Sequence, residues 1–211
     1  LPPEDFLTRG ACAPVASKVV LKCLCFTRLA RPDLYWTVND LARNVTKWNV
    51  ACDKRLHRLM CYIHHTTDYC MRSYVGDEPQ DCKLWLFADA SFAGCLTTSK
   101  STSGGVLCIV GPNTFAPISW LCKKQGAVSH SSAEAEIISL DACLRMEAIP
   151  AQGLWDLVND IFHPDRTKPS PLPTLDNQGM LPSQCQPPTS HNTKLSPELQ
   201  ILTNVDHVPH N

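Results

Sequence analysis

A chain of 211 residues, 44% hydrophobic and 18% charged, holds enough apolar material for a substantial core, as one compact domain or as two smaller units. A formal net charge of −1 does not by itself establish nucleic-acid binding, and no run approaches the 18 apolar residues of a membrane span, so no membrane partner is expected. The balance does shift along the chain: residues 1–80 carry eleven Lys/Arg and eight Asp/Glu, residues 81–163 five and eight, a mildly basic stretch before an acidic one.

The first 80 residues read as mostly helical. Pro32 marks a boundary, after which Val38, Leu41, Ala42, Val45 and Trp48 form one apolar stripe and Leu56, Leu59, Met60 and Ile63 another. Arg31, Lys54, Arg55 and Arg58 are either phosphate-backbone contacts or an ordinary solvated helix face. Cys61, His64 and Cys70 are zinc-type ligands without a fourth partner. The chain shows no apolar signal segment, so its twelve cysteines are expected as reduced thiols of an intracellular protein, with Cys108 and Cys122 buried. Gly76-Asp-Glu-Pro79 interrupts the helical period and reads as a linker.

Beyond it the period changes. Leu84, Leu86 and Ala88 alternate with Trp85, Phe87 and Asp89, a first strand covered on both faces with the carboxylate near its end. Residues 102–109 and 115–121 read as two more strands, joined by Gly111-Pro-Asn113 into an antiparallel meander, in which Pro117 fits only at an edge or a bulge. Ser131-Ser-Ala-Glu134 is a capping box. The helix it opens is expected to bury Ala133, Ile137, Leu140 and Leu144, with Glu136 on another azimuth. Pro150 is expected to break that helix before a second amphipathic one carrying Leu154, Trp155, Val158 and Ile161. Residues 172–175 read as a short edge strand ending at Asp176. Nine of the seventeen prolines fall in residues 164–211, so the end of the chain is irregular. The fold class is α/β, a mixed sheet flanked by helices and preceded by a mostly helical segment.

Asp89, Glu136 and Asp176 stand 47 and 40 positions apart, so only a fold can gather them, from a strand end, a helix and a second strand end. Carboxylate oxygens are hard ligands that suit Mg²⁺, and two such ions activate water and stabilise a departing phosphate oxygen, the chemistry of phosphodiester hydrolysis. The competing reading makes the three acids unrelated caps and surface charges. Ser91, with Gly94 and Ser101-Thr-Ser103, suits either phosphate contact or a compact turn. Lys123 and Lys124 suit either phosphate attraction or a solvated loop, and Trp120 suits sheet packing.

Seven short segments occur in order: Ala30-Arg-Pro-Asp-Leu34, Phe87-Ala-Asp-Ala-Ser-Phe-Ala-Gly94, Ser101-Thr-Ser-Gly104, Pro117-Ile-Ser-Trp120, Lys123-Lys-Gln125, Ser131-Ser-Ala-Glu-Ala-Glu136 and Asp176-Asn-Gln178. Over residues 18–180 this series resembles Ty1/copia-type retrotransposon polyproteins, at the connection after the reverse-transcriptase domain and the ribonuclease H domain that follows. The resemblance implies a helical connection segment over residues 1–80, an RNase H-like core over 81–180, and a divergent or incomplete tail over 181–211. It implies metal-dependent endonucleolytic hydrolysis of the RNA strand of RNA–DNA hybrids, with Mg²⁺ or Mn²⁺. It also implies an adjacent reverse-transcriptase region as partner, and a setting in a cytoplasmic retroelement particle or the nucleus. By the same resemblance Asp89, Glu136 and Asp176 are the catalytic, metal-coordinating acids and Glu134 is a helix cap. Ser91, Lys123, Lys124 and His191 are the candidate substrate contacts, the last from His191-Asn-Thr-Lys194. After that motif the family pattern is not continued, since Asp206 stands in an unmatched context. The alternative is a catalytically degenerate nucleic-acid or protein-interaction module.

Overall fold

The computed structural model describes residues 1–95, 97–165 and 172–176, with Asp176 described by its backbone. Two compact units divide the chain between Met71 and Arg72.

In the first unit a short helix α1 (Glu4–Leu7) precedes α2 (Ala13–Leu29), a 3-10 turn at Pro32–Leu34, α3 (Tyr35–Arg43) and α4 (Val50–His65). The two expected stripes form the core: Val38, Leu41, Trp48, Leu56 and Leu59 are buried with Ala16 and Val20 of α2. Asp53 organises the start of α2. Its carboxylate accepts the Ala11 N–H at 2.6 Å, the Cys12 N–H at 3.2 Å and the Trp48 indole N–H at 2.6 Å, which satisfies donors that the helix itself leaves open. Three of the four basic residues weighed as phosphate contacts are instead paired within the unit, Arg31 with Asp33, Lys54 with Asp5 and Arg55 with Asp40.

The second unit is built on a four-stranded sheet in the order β3-β2-β1-β4. Strands β1 (Lys83–Ser91), β2 (Thr102–Gly111) and β3 (Thr114–Lys124) form the antiparallel meander, and β4 (Thr174–Asp176) adds in parallel to β1. This is the mixed sheet with flanking helices expected from the sequence, a topology consistent with an RNase H-like fold. Pro117 lies where the expectation put it, on an edge strand and at a bulge: Leu107 faces Ser119 and Cys108 faces Pro117, leaving Ile118 as the extra residue. The Gly76 stretch is docked on the hairpin turn, not loose. The Thr114 hydroxyl accepts from Gly76 N and Asp77 N at 3.1 Å each, and the Asp77 carboxylate accepts from Asn113 N at 2.6 Å.

A single helical stretch crosses the sheet as α5 (Ser132–Cys143), a π segment (Leu144–Ala148) and α6 (Ile149–Phe162). Ser131 caps it, its hydroxyl accepting the Glu134 N–H at 3.1 Å. Two expectations are corrected here. The buried stripe of α5 is Ala135, Ser139 and Cys143, while Ile137 points to solvent. Small residues line that face because α5 lies close against the Gly104-Gly105 pair of β2; a Cβ on Gly105 would stand 2.3 Å from the Cys143 sulfur. Nor does Pro150 break the helix. It falls at the start of α6, where the wider turn of the π segment absorbs its missing N–H.

The eleven cysteines of the described residues are thiols; Cys108 is buried and Cys122 half-buried. Among the described residues no helix is long and apolar enough to cross a membrane.

Candidate functional site

Asp89 is exposed near the end of β1, opposite Gly104. Its backbone carbonyl accepts the Ser139 hydroxyl at 2.6 Å, and that hydroxyl also reaches the Gly104 carbonyl at 3.3 Å, so α5 is fastened to β1 and β2 at this point. Glu136 precedes Ser139 by one turn and is carried to the side of Asp89. Burial pushes the Glu136 carboxyl above its ordinary range and the Asp89 charge adds to this, while a hydrogen bond from the Ala90 N–H opposes it. The Glu136 Oε2 atom is buried without a partner. Strand β4 sets the Asp176 backbone beside Phe87, two residues before Asp89. The Asp176 side chain, His191 and Asp206 lie outside the described residues.

The fit of a divalent ion to these residues fails. Hard cations take six or more oxygens, several of them from charged carboxylates. Among the described residues no three His, Cys, Asp or Glu side chains converge in a way that holds a metal. The acids that do meet are Asp89 and Glu136, two side chains where a hard cation needs more, and burial and the Asp89 charge push the second of them above its ordinary carboxylate range. This overturns the expected Mg²⁺ or Mn²⁺ cofactor, and with it the metal-dependent hydrolysis of the RNA strand and the nuclease and hydrolase assignments. What remains is a degenerate acidic site at the end of the inner strand β1. The Cys61, His64 and Cys70 set fails the same test; the Cys61 sulfur has the His57 ring at 3.8 Å and no converging third ligand among the described residues.

Glu136→Gln is expected to stabilise the protein. A carboxyl whose folded-state pKa is raised binds its proton more tightly when folded. Its burial is therefore harmless below the unfolded value and becomes a cost as pH rises through the folded one. The amide carries no charge to bury and donates toward Asp89. Thermal melts should show the variant about 2 °C or more above the parent at pH 7, with the gap closing near pH 4. An equal gap at both pH values would contradict the arrangement.

The cations expected at the site sit at the same end of the sheet. Ser91 pairs with Thr102 and Thr102 with Lys124, and in the next row Ala90 pairs with Ser103 and Ser103 with Lys123. Lys124 donates to the Cys95 sulfur at 2.7 Å. That bond, then those of Thr97 and Thr98, lowers the Cys95 thiol to about 6, so at neutral pH a thiolate offsets the Lys124 charge. Lys123 is exposed, its ammonium 3.8 Å from the Met146 sulfur. The serines of the Ser101-Thr-Ser-Gly104 segment are structural. Ser101 is buried, its hydroxyl accepting the Ala93 N–H at 3.1 Å. Ser103 belongs to a buried network in which Gln125 donates to its hydroxyl at 3.1 Å and to the Ala135 carbonyl at 2.9 Å, while Ser129 donates to Gln125 at 2.9 Å.

Three contributors escaped the sequence reading: Ser139, Gln125 and Cys95. Ser139 carries a legible signal, a small polar residue in the Ala135, Ser139, Cys143 spacing that complements a glycine pair in a strand. The roles of Gln125 and Cys95 depend on partners 22 and 29 positions away, and no local pattern reports them.

No family model matches the chain, and no solved structure matches it. Curated relatives do. An uncharacterized mitochondrial protein of Arabidopsis thaliana is 28% identical over 127 residues, covering 60% of this chain and 50% of the relative. The retrovirus-related Pol polyprotein from transposon RE2 of Arabidopsis thaliana is 30% identical over 132 residues, 60% of this chain and 8% of the polyprotein. The chain thus spans half the length of the first relative and a small part of the second. These matches make the chain a distant, partial homologue of a retrotransposon Pol polyprotein.

Proposed function

We propose that the chain is a catalytically degenerate part of a Ty1/copia-type retroelement polyprotein. Residues 1–80 serve as the connection segment, 81–180 as an RNase H-like core, and 181–211 as a divergent tail. The core binds RNA–DNA hybrid without cleaving it. Its further partner in this reading is the adjacent reverse-transcriptase region, met in a retroelement particle or in the nucleus.

The observation that carries the reading is the pairing of Ser91 with Thr102 and Lys124, one row from Lys123, at the sheet end where Asp89 and Glu136 meet. Strand spacing of about 4.8 Å sets the Ser91 and Lys124 backbones about 10 Å apart, and a hydroxyl and ammonium groups in neighbouring rows are the side chains that contact phosphate oxygens and position a nucleic-acid strand.

The test is fluorescence anisotropy with a labelled RNA–DNA hybrid, followed by electrophoresis of both strands after incubation with Mg²⁺ or Mn²⁺. The full chain should bind in low salt and leave both strands intact. Lys123→Ala should weaken binding about threefold or more and lower the salt slope by about one. Cys95→Ser, which restores the Lys124 charge, should strengthen it. Hybrid that does not bind, or an RNA strand cut by the parent and spared by Asp89→Asn, would refute the proposal.

A further inference from the structure

Cys95 and Lys124 bring a sulfur nucleophile and an amine into contact across 29 positions of sequence, with the Lys124 Nζ atom 2.7 Å from the Cys95 sulfur. Backbone held at both ends sets this contact. Lys124 ends β3, in register with Thr102. Cys95 lies in the loop between β1 and β2, where its N–H donates to the Lys100 carbonyl at 3.2 Å and its carbonyl accepts the Thr98 and Ser99 N–H groups at 3.2 and 2.7 Å. Ala93 and Ser99 take the left-handed conformation on either side of it, at φ 51° and 50°, so the chain turns sharply before and after the cysteine. The other lysine of the loop is engaged elsewhere: Lys100 donates to the Gly126 carbonyl. Cys95 is half-buried, within reach of a small oxidant.

The contact also separates this thiol from the rest. Hydrogen bonds from Lys124, then Thr97 and Thr98, bring Cys95 down to about 6, whereas burial pushes Cys12, Cys23, Cys82 and Cys143 up. The thiolate is the form that attacks a peroxide. The Thr97 hydroxyl, 3.3 Å from the sulfur, holds it from a second direction.

We propose that Cys95 and Lys124 form a site of oxidative modification, at which a peroxide joins them through a reversible sulfur–nitrogen bond. In the first step the Cys95 sulfur attacks one peroxide oxygen; an S–O bond forms and the O–O bond breaks. The departing hydroxide takes a proton from the Lys124 ammonium and leaves as water. Sulfur is oxidised by two electrons and the peroxide is reduced by two. The products are a sulfenic acid and, beside it, a neutral amine, because the first step has deprotonated the lysine. A sulfenic acid condenses with a thiol or with a nitrogen, and a group already in contact outcompetes one that must diffuse. The Nζ lone pair attacks the sulfur, the S–N bond forms, the S–O bond breaks, and the hydroxyl leaves as water with one amine proton. A thiolate and an ammonium thus become one neutral link. Local charge is unchanged; the effect is mechanical, since the β1–β2 loop is stapled to the end of β3.

To test this, the full chain is treated with hydrogen peroxide at neutral pH, the remaining thiols are alkylated, and a chymotryptic digest is read by mass spectrometry. The expected product is a peptide pair joined from Cys95 to Lys124, lighter by two hydrogen atoms than its parts and separated again by dithiothreitol. Lys124→Arg keeps a cation on the sulfur but lacks the attacking amine. It should give no link, and dimedone, which traps sulfenic acids, should label Cys95 about tenfold more than in the parent. Cys95→Ser should give no link from Lys124. A circular dichroism spectrum matching the parent confirms that each variant is folded. The proposal is overturned if Cys95 is recovered as a disulfide with Cys122 or another thiol, or as a sulfinic acid with the Lys124 amine free. It is equally overturned if Cys95 stays unreacted while other thiols are consumed, or if a link from Lys124 survives Cys95→Ser.

Discussion

Gly105→Ala destabilises the sheet unit by about 2 kcal/mol, and adding Cys143→Ala returns most of that loss. The added methyl would stand 2.3 Å from the Cys143 sulfur and 3.3 Å from both the Cys143 Cβ and the Phe87 carbonyl. The first distance forces movement, and neither neighbour yields cheaply. Cys143 is fully buried on α5, and its thiol, pushed up to about 11 chiefly by burial, stays protonated and packs as an apolar group. Cys143→Ala alone leaves a small void and costs about 1 kcal/mol. In the double variant the new methyl occupies that void, so the two losses fail to add. Gly126→Ala is the control, since nothing lies within 4 Å of a Cβ there. Chemical denaturation of the four proteins measures the cycle, and hydrogen exchange followed by mass spectrometry assigns the change to β1, β2 and α5. Strict additivity would mean that α5 does not rest on the glycine.

Arg31→Met is expected to cost about 3–5 kcal/mol, the range found when one partner of a buried ion pair is removed. Arg31 is buried in the helical unit and donates to both Asp33 oxygens, at 2.9 and 2.8 Å, to the Thr66 carbonyl at 2.9 Å and to the Thr66 hydroxyl at 2.7 Å. Its guanidinium carbon lies 5.9 Å from the centre of the Tyr62 ring and 5.7 Å from that of Tyr69. The methionine keeps most of the volume, but leaves the Asp33 charge and the Thr66 carbonyl without their donor. Arg31→Lys should also lose about 2 kcal/mol, because an ammonium cannot reproduce the planar fork that serves two residues at once. Denaturant unfolding followed by hydrogen exchange in residues 1–71 reads the effect. A loss below about 1 kcal/mol for Arg31→Met would show that the pair is no better than a surface one.

The parts of this fold that the sequence made legible are those written in a single period. Val38, Leu41 and Trp48 announced the core of the first unit because helical spacing and burial agreed. The alternation through Leu84, Leu86 and Ala88 announced β1 for the same reason, and Pro117 allowed only the edge or bulge position it takes. The buried face of α5 is not legible from apolar spacing, which points Ile137 inward. The contact surface is instead decided by Gly104 and Gly105, which admit only Ala135, Ser139 and Cys143. The continuity of the helix through Pro150 is not legible either, because a proline ends a helix only where its missing N–H goes unabsorbed, and a π segment leaves no local signature. At the site, spacing alone could not tell two converging acids from a metal centre. That distinction depends on how many side chains converge and on the burial of Glu136, both properties of the folded chain.

The bulge at Ile118 bears on how this protein avoids its own kind. An edge strand eleven residues long offers a row of open N–H and C=O groups on which a neighbouring chain could crystallise as a further strand. On β3 that row is closed at Phe115, which exchanges both backbone hydrogen bonds with Tyr74, and is interrupted beyond it three ways: Pro117 withholds a donor, Ile118 throws the pleat out of step, and Lys123-Lys124 ends the strand in positive charge. The opposite edge is β4, with three described residues. Fibrillar growth by strand addition is thereby blocked on the long side of the sheet, and a chain carrying Pro117→Val should show this as faster seeded aggregation.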